Sequence, residues 1–354
     1  MGIVRFIGFI CLYPFSLLYD LITRIRNYLY DHGYLKSFQF DIPVISVGNL
    51  KVGGTGKTPH VEHLVELFVS NQIKVAVLSR GYGRVTRGIL HADETSTASR
   101  IGDEPMQYYV KYGHQISVHV GEDRLLAIPA LLAKEDKTEV ILLDDAFQHR
   151  TVKPTLNILI TQYNNLFTND YLLPAGRLRE ARMGAKRADI VIVSKCPDDI
   201  TNEIMTTVIK DIKKYTHSEA KIFFSKFQYS PPVCLYSSTG IKCSFRLIVC
   251  TGIANPELLY NHLEQQGYEL VKKIRFKDHH RYTLRDAAFI RKCYEQHKQK
   301  DVSVLITEKD MVKLLDHSIK NELSDVPIFY LPVKIALINS EQEYQSIVLS
   351  KVKR

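Results

Sequence analysis

The sequence predicts an α/β fold, in which a mostly parallel sheet with helices on both faces is followed by a smaller C-terminal α/β domain. Three observations lead to this prediction. Short apolar, β-branched runs alternate with helical stretches, which is the order of elements in a parallel sheet covered by helices. A glycine-rich stretch joins the first of these runs to a helix. A second strand–helix–strand unit follows a segment rich in Pro, Ser and Gly.

The elements of the larger domain are predicted from apolar periodicity, with helices over 60–70 and 122–134. In chain order the predicted strands are PVISVG, IKVAVLS, QISVHV, EVILLD, LNILI and DIVIVS, followed by KIFFSKFQY. The segment SPPVCLYSSTGIKCS is typical of a linker or hairpin boundary. We therefore expect an N-terminal helix over 1–35, a large domain over 36–228, a linker or hairpin over 229–245 and a smaller domain over 246–354.

The N-terminal stretch FIGFICLYPFSLLY carries no charge over 14 residues and is interrupted by Pro14. Because crossing a bilayer takes about 20 apolar residues, this length favours a helix in a membrane interface or in a core. Arg24, Arg26 and three tyrosines follow it, and such flanks favour the interface. We predict a membrane-associated helix; a helix buried on the protein's own core, a spanning segment and a signal peptide stay open as alternatives. The apolar side chains that could meet lipid or the core are Phe6, Ile10, Phe15, Leu18 and Ile22.

The composition is that of a folded soluble protein, with 45% apolar and 24% charged residues and a net charge of +9. Excess positive charge favours an anionic partner such as nucleic acid, a membrane surface or a phosphorylated substrate. The sequence carries no nucleic-acid-binding signature, so we expect no nucleic-acid partner. Its six cysteines form no Cys-x-x-Cys pair, which argues against a zinc site and for reduced thiols in the cytosol.

The stretch VGGTGKT lies between a predicted strand and a predicted helix, which is the context of a phosphate-binding P-loop. Its glycines let backbone N–H groups approach phosphate oxygens at a positively polarised helix N-terminus. The lysine reaches the β- and γ-phosphates of a nucleoside triphosphate, and the hydroxyl after it is a ligand for Mg²⁺. The predicted nucleotide-binding residues are Gly53, Gly54, Thr55, Gly56, Lys57 and Thr58.

The stretch VILLDDAFQHR predicts a buried strand that ends in Asp144 and Asp145. Carboxylates at a strand end beside a P-loop can hold Mg²⁺ directly or through water. Because successive side chains of a regular strand point to opposite faces, we expect the pair to lie where the strand ends.

With these motifs the sequence resembles the tetraacyldisaccharide 4′-kinase family, the lipid A kinases of Gram-negative bacteria. The resemblance extends from the N-terminal apolar stretch to about residue 335 and rests on an ordered set of motifs. These are PVISVGNLKVGGTGKTP, SRGYGR, GDEP, DDAFQHR, GRLRE, DHHRY and TEKD.

The resemblance implies transfer of the ATP γ-phosphate to the 4′-hydroxyl of a tetraacylated glucosamine disaccharide 1-phosphate. The product would be a lipid A precursor with phosphates at both ends. It also implies a peripheral enzyme on the cytoplasmic face of the inner membrane, in agreement with the predicted N-terminal helix. We expect ATP and Mg²⁺ as cofactors and a monomeric protein.

The resemblance also implies roles for individual residues. Asp103 in GDEP matches the family's proposed general base, and His279 in DHHRY matches its partner, with His280 as the adjacent alternative. We expect base and partner to lie on different domains, so that domain closure couples them. Lys57 and Arg179 complete the predicted catalytic set, since an arginine fork suits phosphate oxygens. The predicted metal ligands are Thr58, Asp144, Asp145 and Glu180, and the candidates for acceptor contacts are Tyr82, Glu104, Arg124 and His149.

Two residues depart from the family pattern. Lys51 stands where a small residue such as Thr is usual, and we expect its side chain to point outward into solvent at the entrance of the loop; added positive charge near the nucleotide is the alternative. Ala146 stands where glycine is usual, and alanine can serve there if φ is negative. Neither change touches the P-loop lysine, its threonine or the paired carboxylates.

Two other functions fit parts of the sequence. A membrane-associated P-loop regulatory ATPase would share the loop and the N-terminal helix, but that class usually carries a second lysine where this chain has Val52. A GTP-dependent metal-insertion chaperone would carry an Asn-Lys-x-Asp motif and a Cys/His cluster, whereas this chain has Ser-Lys-Cys-Pro over 194–197. We therefore predict the kinase.

Overall fold

The structure is a computed structural model that describes residues 3–135, 137–236 and 242–353; the side chains of residues 3–8 and 300 lie outside the description. The chain forms two compact units, each assembled from separate parts of the sequence. The first contains Met1–Arg80, Gln115–Phe227 and Ile335–Arg354, and the second contains Gly81–His114 and Gln228–Lys334.

The elements of the described residues alternate between strand and helix along most of the chain. The helices are α1 Ile3–Asp31, α2 Lys57–Ser70, α3 Ala98–Ile101, α4 Asp103–Tyr112, α5 Arg124–Lys134, α6 Asn202–Lys213, α7 Glu257–Gln265, α8 Leu284–Glu295, α9 Glu308–Leu314, α10 His317–Glu322 and α11 Glu341–Ser350. The strands are β1 Val44–Gly48, β2 Val75–Ser79, β3 Leu90–His91, β4 Ser117–Val120, β5 Val140–Asp144, β6 Leu156–Gln162, β7 Ile190–Ser194, β8 Lys221–Tyr229, β9 Val233–Cys234, β10 Arg246–Thr251, β11 Glu269–Arg275, β12 Val302–Thr307, β13 Ile328–Leu331 and β14 Val333–Leu337. Short 3₁₀ helices cover Phe167–Asn169, Arg182–Arg187 and Lys298–Lys300.

The first unit is built on a sheet with the strand order β14-β8-β7-β6-β1-β5-β2-β4. Neighbouring strands from β8 to β4 are parallel. All residues of β1, β2, β5 and β7 are buried, as expected of strands that helices cover on both faces. The predicted strands and the predicted fold class are confirmed.

The P-loop follows β1 in the middle of this sheet, between β5 and β6. Val47 near the end of β1 is the register partner of Asp144 at the end of β5. Since parallel strands end at the same edge of a sheet, this register brings the loop and the carboxylate pair together. The helix α2 begins at Lys57, directly after the loop.

The N-terminal helix α1 is continuous through Pro14, where we expected an interruption. A proline removes one backbone hydrogen bond from a helix, and α1 continues past Pro14 without that bond. One face packs on the first unit: Ser16 Oγ donates to the Leu172 carbonyl at 3.0 Å, and the Tyr19 hydroxyl donates to the Arg179 carbonyl at 2.8 Å. The other face is apolar and exposed at Ile10, Phe15, Leu18 and Ile22, whereas the Phe6 side chain lies outside the described residues. Among the described residues, no helix has the length and apolarity to cross a membrane.

The second unit is built on a sheet with the order β11-β10-β12-β13-β9, parallel except for β9. Residues 81–114, which we expected in the large domain, belong to this unit because α4 packs on α9. An ion pair of 2.8 Å between Lys111 and Glu308 joins the same two helices. The C-terminal residues 335–354, which we expected in the smaller domain, belong instead to the first unit.

Candidate active site

The P-loop is held by two side chains at the C-terminal end of β7 in the first unit. The Ser194 hydroxyl at the end of β7 donates to the Thr55 carbonyl at 2.7 Å, and Lys195 Nζ donates to the Gly54 carbonyl at 2.6 Å. Gly56 has a φ of +89°, which favours glycine, and it forms the N-cap of α2. A side chain at Gly53 would meet open space, so a phosphate can approach the backbone there.

A buried histidine supports the loop from inside the unit. His60 Nδ1 lies 2.7 Å from the Gly56 carbonyl oxygen, and Nε2 lies 2.9 Å from Ser225 Oγ. Burial lowers the pKa of His60 to about 4, so the ring is neutral at neutral pH. A carbonyl only accepts, so Nδ1 carries the proton and Nε2 accepts from the serine. We did not predict a role for this residue from the sequence.

The two adjacent carboxylates lie at the end of β5, as predicted. Asp144 is the last residue of the strand, and Asp145 turns the chain with a φ of +50°. Asp145 Oδ1 lies 3.5 Å from Lys57 Nζ and 2.9 Å from Arg179 Nη1. Burial would raise the pKa of Asp145, but the charges of Lys57 and Arg179 outweigh it and hold the pKa below its usual value. The carboxylate is therefore ionised and joins two predicted catalytic cations.

These residues fit a nucleoside triphosphate with Mg²⁺. Asp144 and Asp145 offer carboxylate oxygens and Thr58 offers a hydroxyl, and hard oxygen donors are what this ion prefers. Lys57 and Arg179 supply positive charge beside them. The open side of Gly53 leaves room for phosphate oxygens at the backbone.

Glu180, predicted as a metal ligand, is buried and already surrounded by donors. Its carboxylate accepts from Asn27 Nδ2 at 2.9 Å, from Gln148 Nε2 at 3.0 Å and from Arg187 Nη2 at 2.8 Å. Both oxygens are thus occupied, and we assign Glu180 to holding these side chains instead of a metal. The sequence could not show this, because two of the donors come from distant segments.

Arg124, predicted as an acceptor contact, is fully buried beneath the end of β5. Its Nη1 donates to the Gly121 carbonyl at 2.8 Å and its Nη2 to the Asp144 carbonyl at 3.2 Å, while burial lowers its pKa to about 10. It therefore supports the backbone of the carboxylate pair and does not reach an acceptor.

His149, also predicted as an acceptor contact, is half-buried. Burial and then the charges of Arg124 and Arg80 lower its pKa to about 4, so the ring is neutral at neutral pH.

The predicted base and its partner lie together in the second unit. Asp103 is the first residue of α4, and its Oδ2 lies 3.4 Å from His279 Nδ1. Our expectation that they occupy different domains was wrong, because the GDEP segment packs with the C-terminal part of the chain. His280, the alternative, instead lies 3.1 Å from Asp286, which forms the capping box of α8.

Two lysines of α9, for which we predicted no role from the sequence, complete this cluster. Lys309 Nζ lies 3.0 Å from His279 Nε2, and Lys313 Nζ lies 3.4 Å from Asp103 Oδ2. Their spacing of four residues places both lysines on one face of a helix, and this spacing could have identified them as a pair from the sequence. Burial would raise the pKa of Asp103, but the hydrogen bond from His279 and the charges of both lysines hold it below its usual value.

A cavity of about 260 Å³ opens beside this cluster, within the second unit. Asp103, His279 and Lys313 line one part of it, and Arg281 lines another. The predicted acceptor contact Tyr82 also lines the cavity, is exposed, and packs edge-on against His279 with ring centres 5.1 Å apart. The other candidate in this unit, Glu104, lies 4.0 Å from Lys309 Nζ.

The two departures from the family pattern have different outcomes. Lys51 is only 2% exposed, so our expectation of an outward, solvated side chain was wrong. Its Nζ turns inward to Asp170 Oδ2 at 2.5 Å and to the Asn165 carbonyl at 3.1 Å. Ala146 is buried and does not adopt a positive φ, so alanine fits where we expected that it could.

Comparison with known proteins identifies relatives along nearly the whole chain. Residues 9–353 match the family model described as tetraacyldisaccharide-1-P 4′-kinase. The chain is 42% identical over 347 residues to the tetraacyldisaccharide 4′-kinase of Flavobacterium psychrophilum, with 96% of each chain covered. It is 40% identical over 346 residues to that of Bacteroides thetaiotaomicron, with 94% of this chain and 90% of the relative covered.

A solved structure is similar in fold as well. The "apo" form of LpxK from Aquifex aeolicus in complex with ATP matches with a TM-score of 0.69 at 29% identity. The match covers 96% of this chain and 98% of that chain.

Proposed function

Because the chain belongs to the tetraacyldisaccharide-1-P 4′-kinase family, we propose that it phosphorylates the 4′-hydroxyl of a tetraacylated glucosamine disaccharide 1-phosphate, with ATP as the donor. The product is the 1,4′-bisphosphate precursor of lipid A. The observation that carries this function is the Lys57–Asp145–Arg179 cluster beside the P-loop. Family membership also decides against the regulatory ATPase and the metal-insertion chaperone.

The first unit binds and orients the donor. The backbone of Gly53, Gly54, Thr55 and Gly56 surrounds the phosphates, and Lys57 meets the β- and γ-phosphate oxygens. Arg179 offers its planar fork to the transferring group. Mg²⁺, when bound, neutralises phosphate charge, and Thr58, Asp144 and Asp145 are the residues that would hold it.

The second unit supplies the group that accepts the proton of the acceptor. The 4′-oxygen forms a bond to the γ-phosphorus while the bond from that phosphorus to the bridging oxygen of ADP breaks. The hydroxyl proton passes to the Asp103 carboxylate, which the adjacent His279 orients. Tyr82 and Glu104, which lie around this pair, are our candidates for acceptor contacts.

Acceptor-dependent label transfer tests this function directly. Purified protein receives γ-labelled ATP, Mg²⁺ and the tetraacylated disaccharide 1-phosphate in detergent, and labelled lipid is separated by chromatography. We expect label in the lipid only when the acceptor is present. In Asp103→Ala, turnover should fall by about 10²-fold or more while ATP binding stays near the wild-type value. ATP hydrolysis without lipid labelling would contradict the kinase and favour the ATPase.

We also propose that α1 attaches the enzyme as a monomer to the anionic cytoplasmic face of the inner membrane of a Gram-negative bacterium. The apolar side chains of Phe15, Leu18 and Ile22 are exposed on this helix. Arg24 and Arg26 on the same helix are exposed, and such residues attract anionic headgroups. The net charge of +9 acts in the same direction.

Point substitutions test the membrane proposal better than deletion, because α1 also contacts the site. Its Tyr19 and Asn27 hold the Arg179 backbone and the Glu180 carboxylate, which a truncation would release. Leu18→Gln with Ile22→Gln should lower co-sedimentation with phosphatidylglycerol-containing vesicles at least about tenfold. Leu126→Gln, at an equally exposed leucine of α5, is the matched control. Unchanged binding of the double variant would exclude this face as the membrane surface.

A further inference from the structure

We propose that Lys309 and Lys313 are positioning residues for the catalytic pair. Lys309 fixes the proton of His279 on Nδ1, and Lys313 keeps Asp103 as a fixed carboxylate in front of that proton. The proposal rests on the function proposed above, since that function gives Asp103 its role as the proton acceptor.

The contact of Lys309 determines which ring nitrogen of His279 carries the proton. A lysine ammonium can only donate hydrogen bonds, and its Nζ lies 3.0 Å from His279 Nε2. Nε2 must therefore accept, which leaves the proton on Nδ1. That nitrogen lies 3.4 Å from Asp103 Oδ2. Lys309 is itself held in place by Asp278, 3.3 Å from its Nζ.

Lys313 is anchored so that it cannot turn away from Asp103. Its side chain is buried, and its Nζ lies 3.1 Å from Asp310 Oδ1 and 3.4 Å from Asp103 Oδ2. Asp310 is fully buried and is held by the Gly252 N–H at 2.8 Å and the Thr307 hydroxyl at 2.7 Å. The cation is thus fixed between two carboxylates, one structural and one catalytic.

The charged groups around Asp103 determine how it titrates. His279, Lys309 and Lys313 face it directly, while Asp310 lies behind Lys313, and Glu104 and Asp278 lie beside Lys309. Burial alone would raise the Asp103 pKa, but the neighbouring donor and cations lower it overall. Asp103 is therefore fully ionised through the neutral range and can hold the acceptor hydroxyl before the proton moves. Without Lys313, one of the cations that oppose burial is lost, so the Asp103 pKa should rise.

The pH dependence of kcat/KM tests the role of Lys313. Asp103 must be ionised to act, so raising its pKa makes activity fall at a higher pH on acidification. In the wild type, the acidic limb due to Asp103 should lie below the usual pKa range of an aspartate, and in Lys313→Met we expect it to move up by about one pH unit or more. Lys313→Arg should restore the wild-type profile because it keeps the charge. Lys320→Met, at an exposed lysine of α10, is the control.

Two outcomes would overturn this role. One is a Lys313→Met profile with the wild-type shape, whether or not the overall rate falls, because a merely structural lysine would change the rate at every pH alike. The other is a Lys313→Arg enzyme that folds, as judged by circular dichroism, but keeps the shifted acidic limb.

Nitrogen NMR of histidine-labelled protein tests the role of Lys309 without any activity. We expect the His279 ring to carry its proton on Nδ1 in the wild type and to shift toward the Nε2–H form in Lys309→Met. The His279→Asn spectrum assigns the signal. An Nε2–H ring or a doubly protonated ring in the wild type at pH 7.5 would overturn the proposal. Loss of acceptor-dependent transfer in the wild type would instead refute the proposed function and leave this measurement valid.

Discussion

The Lys51 ammonium at the entrance of the P-loop lies 2.5 Å from the carboxylate of Asp170. The other oxygen of Asp170 accepts the backbone N–H of Tyr171 at 2.8 Å and that of Arg177 at 3.3 Å. Two backbone hydrogen bonds join the same two segments, from Val52 N to the Arg177 carbonyl and from Arg179 N to the Leu50 carbonyl. The ion pair therefore ties the segment that carries Arg179 to the start of the P-loop.

Removing one partner of this pair should destabilise the first unit strongly. Asp170→Ala leaves the Lys51 charge buried without its carboxylate, which typically costs about 3–5 kcal/mol in the free energy of unfolding. Lys51→Met combined with Asp170→Ala should cost less than the sum of the single changes, since no unpaired charge then stays buried. Urea unfolding of the four proteins measures this cycle. Additive changes would show that the two side chains do not interact.

Lys51 also shows which features the sequence could reveal. The P-loop, the strand before it and the Asp144–Asp145 pair are contiguous patterns, and their physical meaning is local. The partner of Lys51 lies in a distant segment, so its burial could not be inferred from neighbouring residues. The same holds for Glu180 and Arg124, whose donors and acceptors become visible only once the sheet is assembled.

The domain boundaries failed for a related reason. Alternating strands and helices predicted the sheet, but contiguous segments were assumed to form contiguous domains. The packing of α4 on α9 moves Asp103 into the second unit, beside His279. Sequence spacing does not predict such a contact between distant segments. It does predict that Lys309 and Lys313, four residues apart, lie on one face of a helix.

Arg179 is expected to act on the transferring phosphate and on the orientation of Asp145. Its Nη1 lies 2.9 Å from Asp145 Oδ1, and the same oxygen faces Lys57. We predict that Arg179→Ala lowers kcat by about 10²-fold, since a preorganised donor at the reacting charge is lost. Steady-state kinetics with ATP and the lipid acceptor measure this effect. Arg177→Ala removes an exposed arginine two residues earlier and should keep the wild-type kcat; equal losses in both variants would argue against a specific role.

His60 should make the first unit sensitive to acid. Its pKa is about 4 in the folded protein, whereas a histidine in an unfolded chain has a pKa of about 6.5. Between these values the unfolded state binds more protons, so lowering the pH from about 6.5 to 4 favours unfolding. The full difference corresponds to about 3 kcal/mol.

Replacing His60 should remove this part of the pH dependence. His60→Gln keeps a donor and an acceptor but does not titrate, so its free energy of unfolding should fall less between pH 6.5 and 4 than that of the wild type. Urea unfolding at several pH values measures the difference. His217→Gln, at a partly exposed histidine of the same unit, should retain the wild-type slope. Parallel curves for wild type and His60→Gln would show that His60 is not the group responsible.

Gly102 sets the position of Asp103 at the start of α4. It has a φ of +100° and a ψ of 158°, a region that is essentially restricted to glycine, and an added Cβ would lie 3.0 Å from the Gly81 Cα. Gly102→Ala therefore has to strain the backbone, at about 1–3 kcal/mol, and move the helix N-terminus away from Gly81. Because a displacement of about 1 Å can lower a rate by about 10²-fold, we predict a loss of turnover of that order.

A substitution at a second glycine, Gly88, distinguishes the effect of backbone strain from the effect of displacing Asp103. Gly88 also has a positive φ, +81°, but a Cβ there would meet open space. Gly88→Ala should therefore lower the unfolding free energy through backbone strain while turnover of the folded fraction stays near the wild-type value. Kinetics and thermal unfolding of both variants make the comparison. If Gly102→Ala loses stability but keeps full turnover, the contact between the two glycines does not position Asp103.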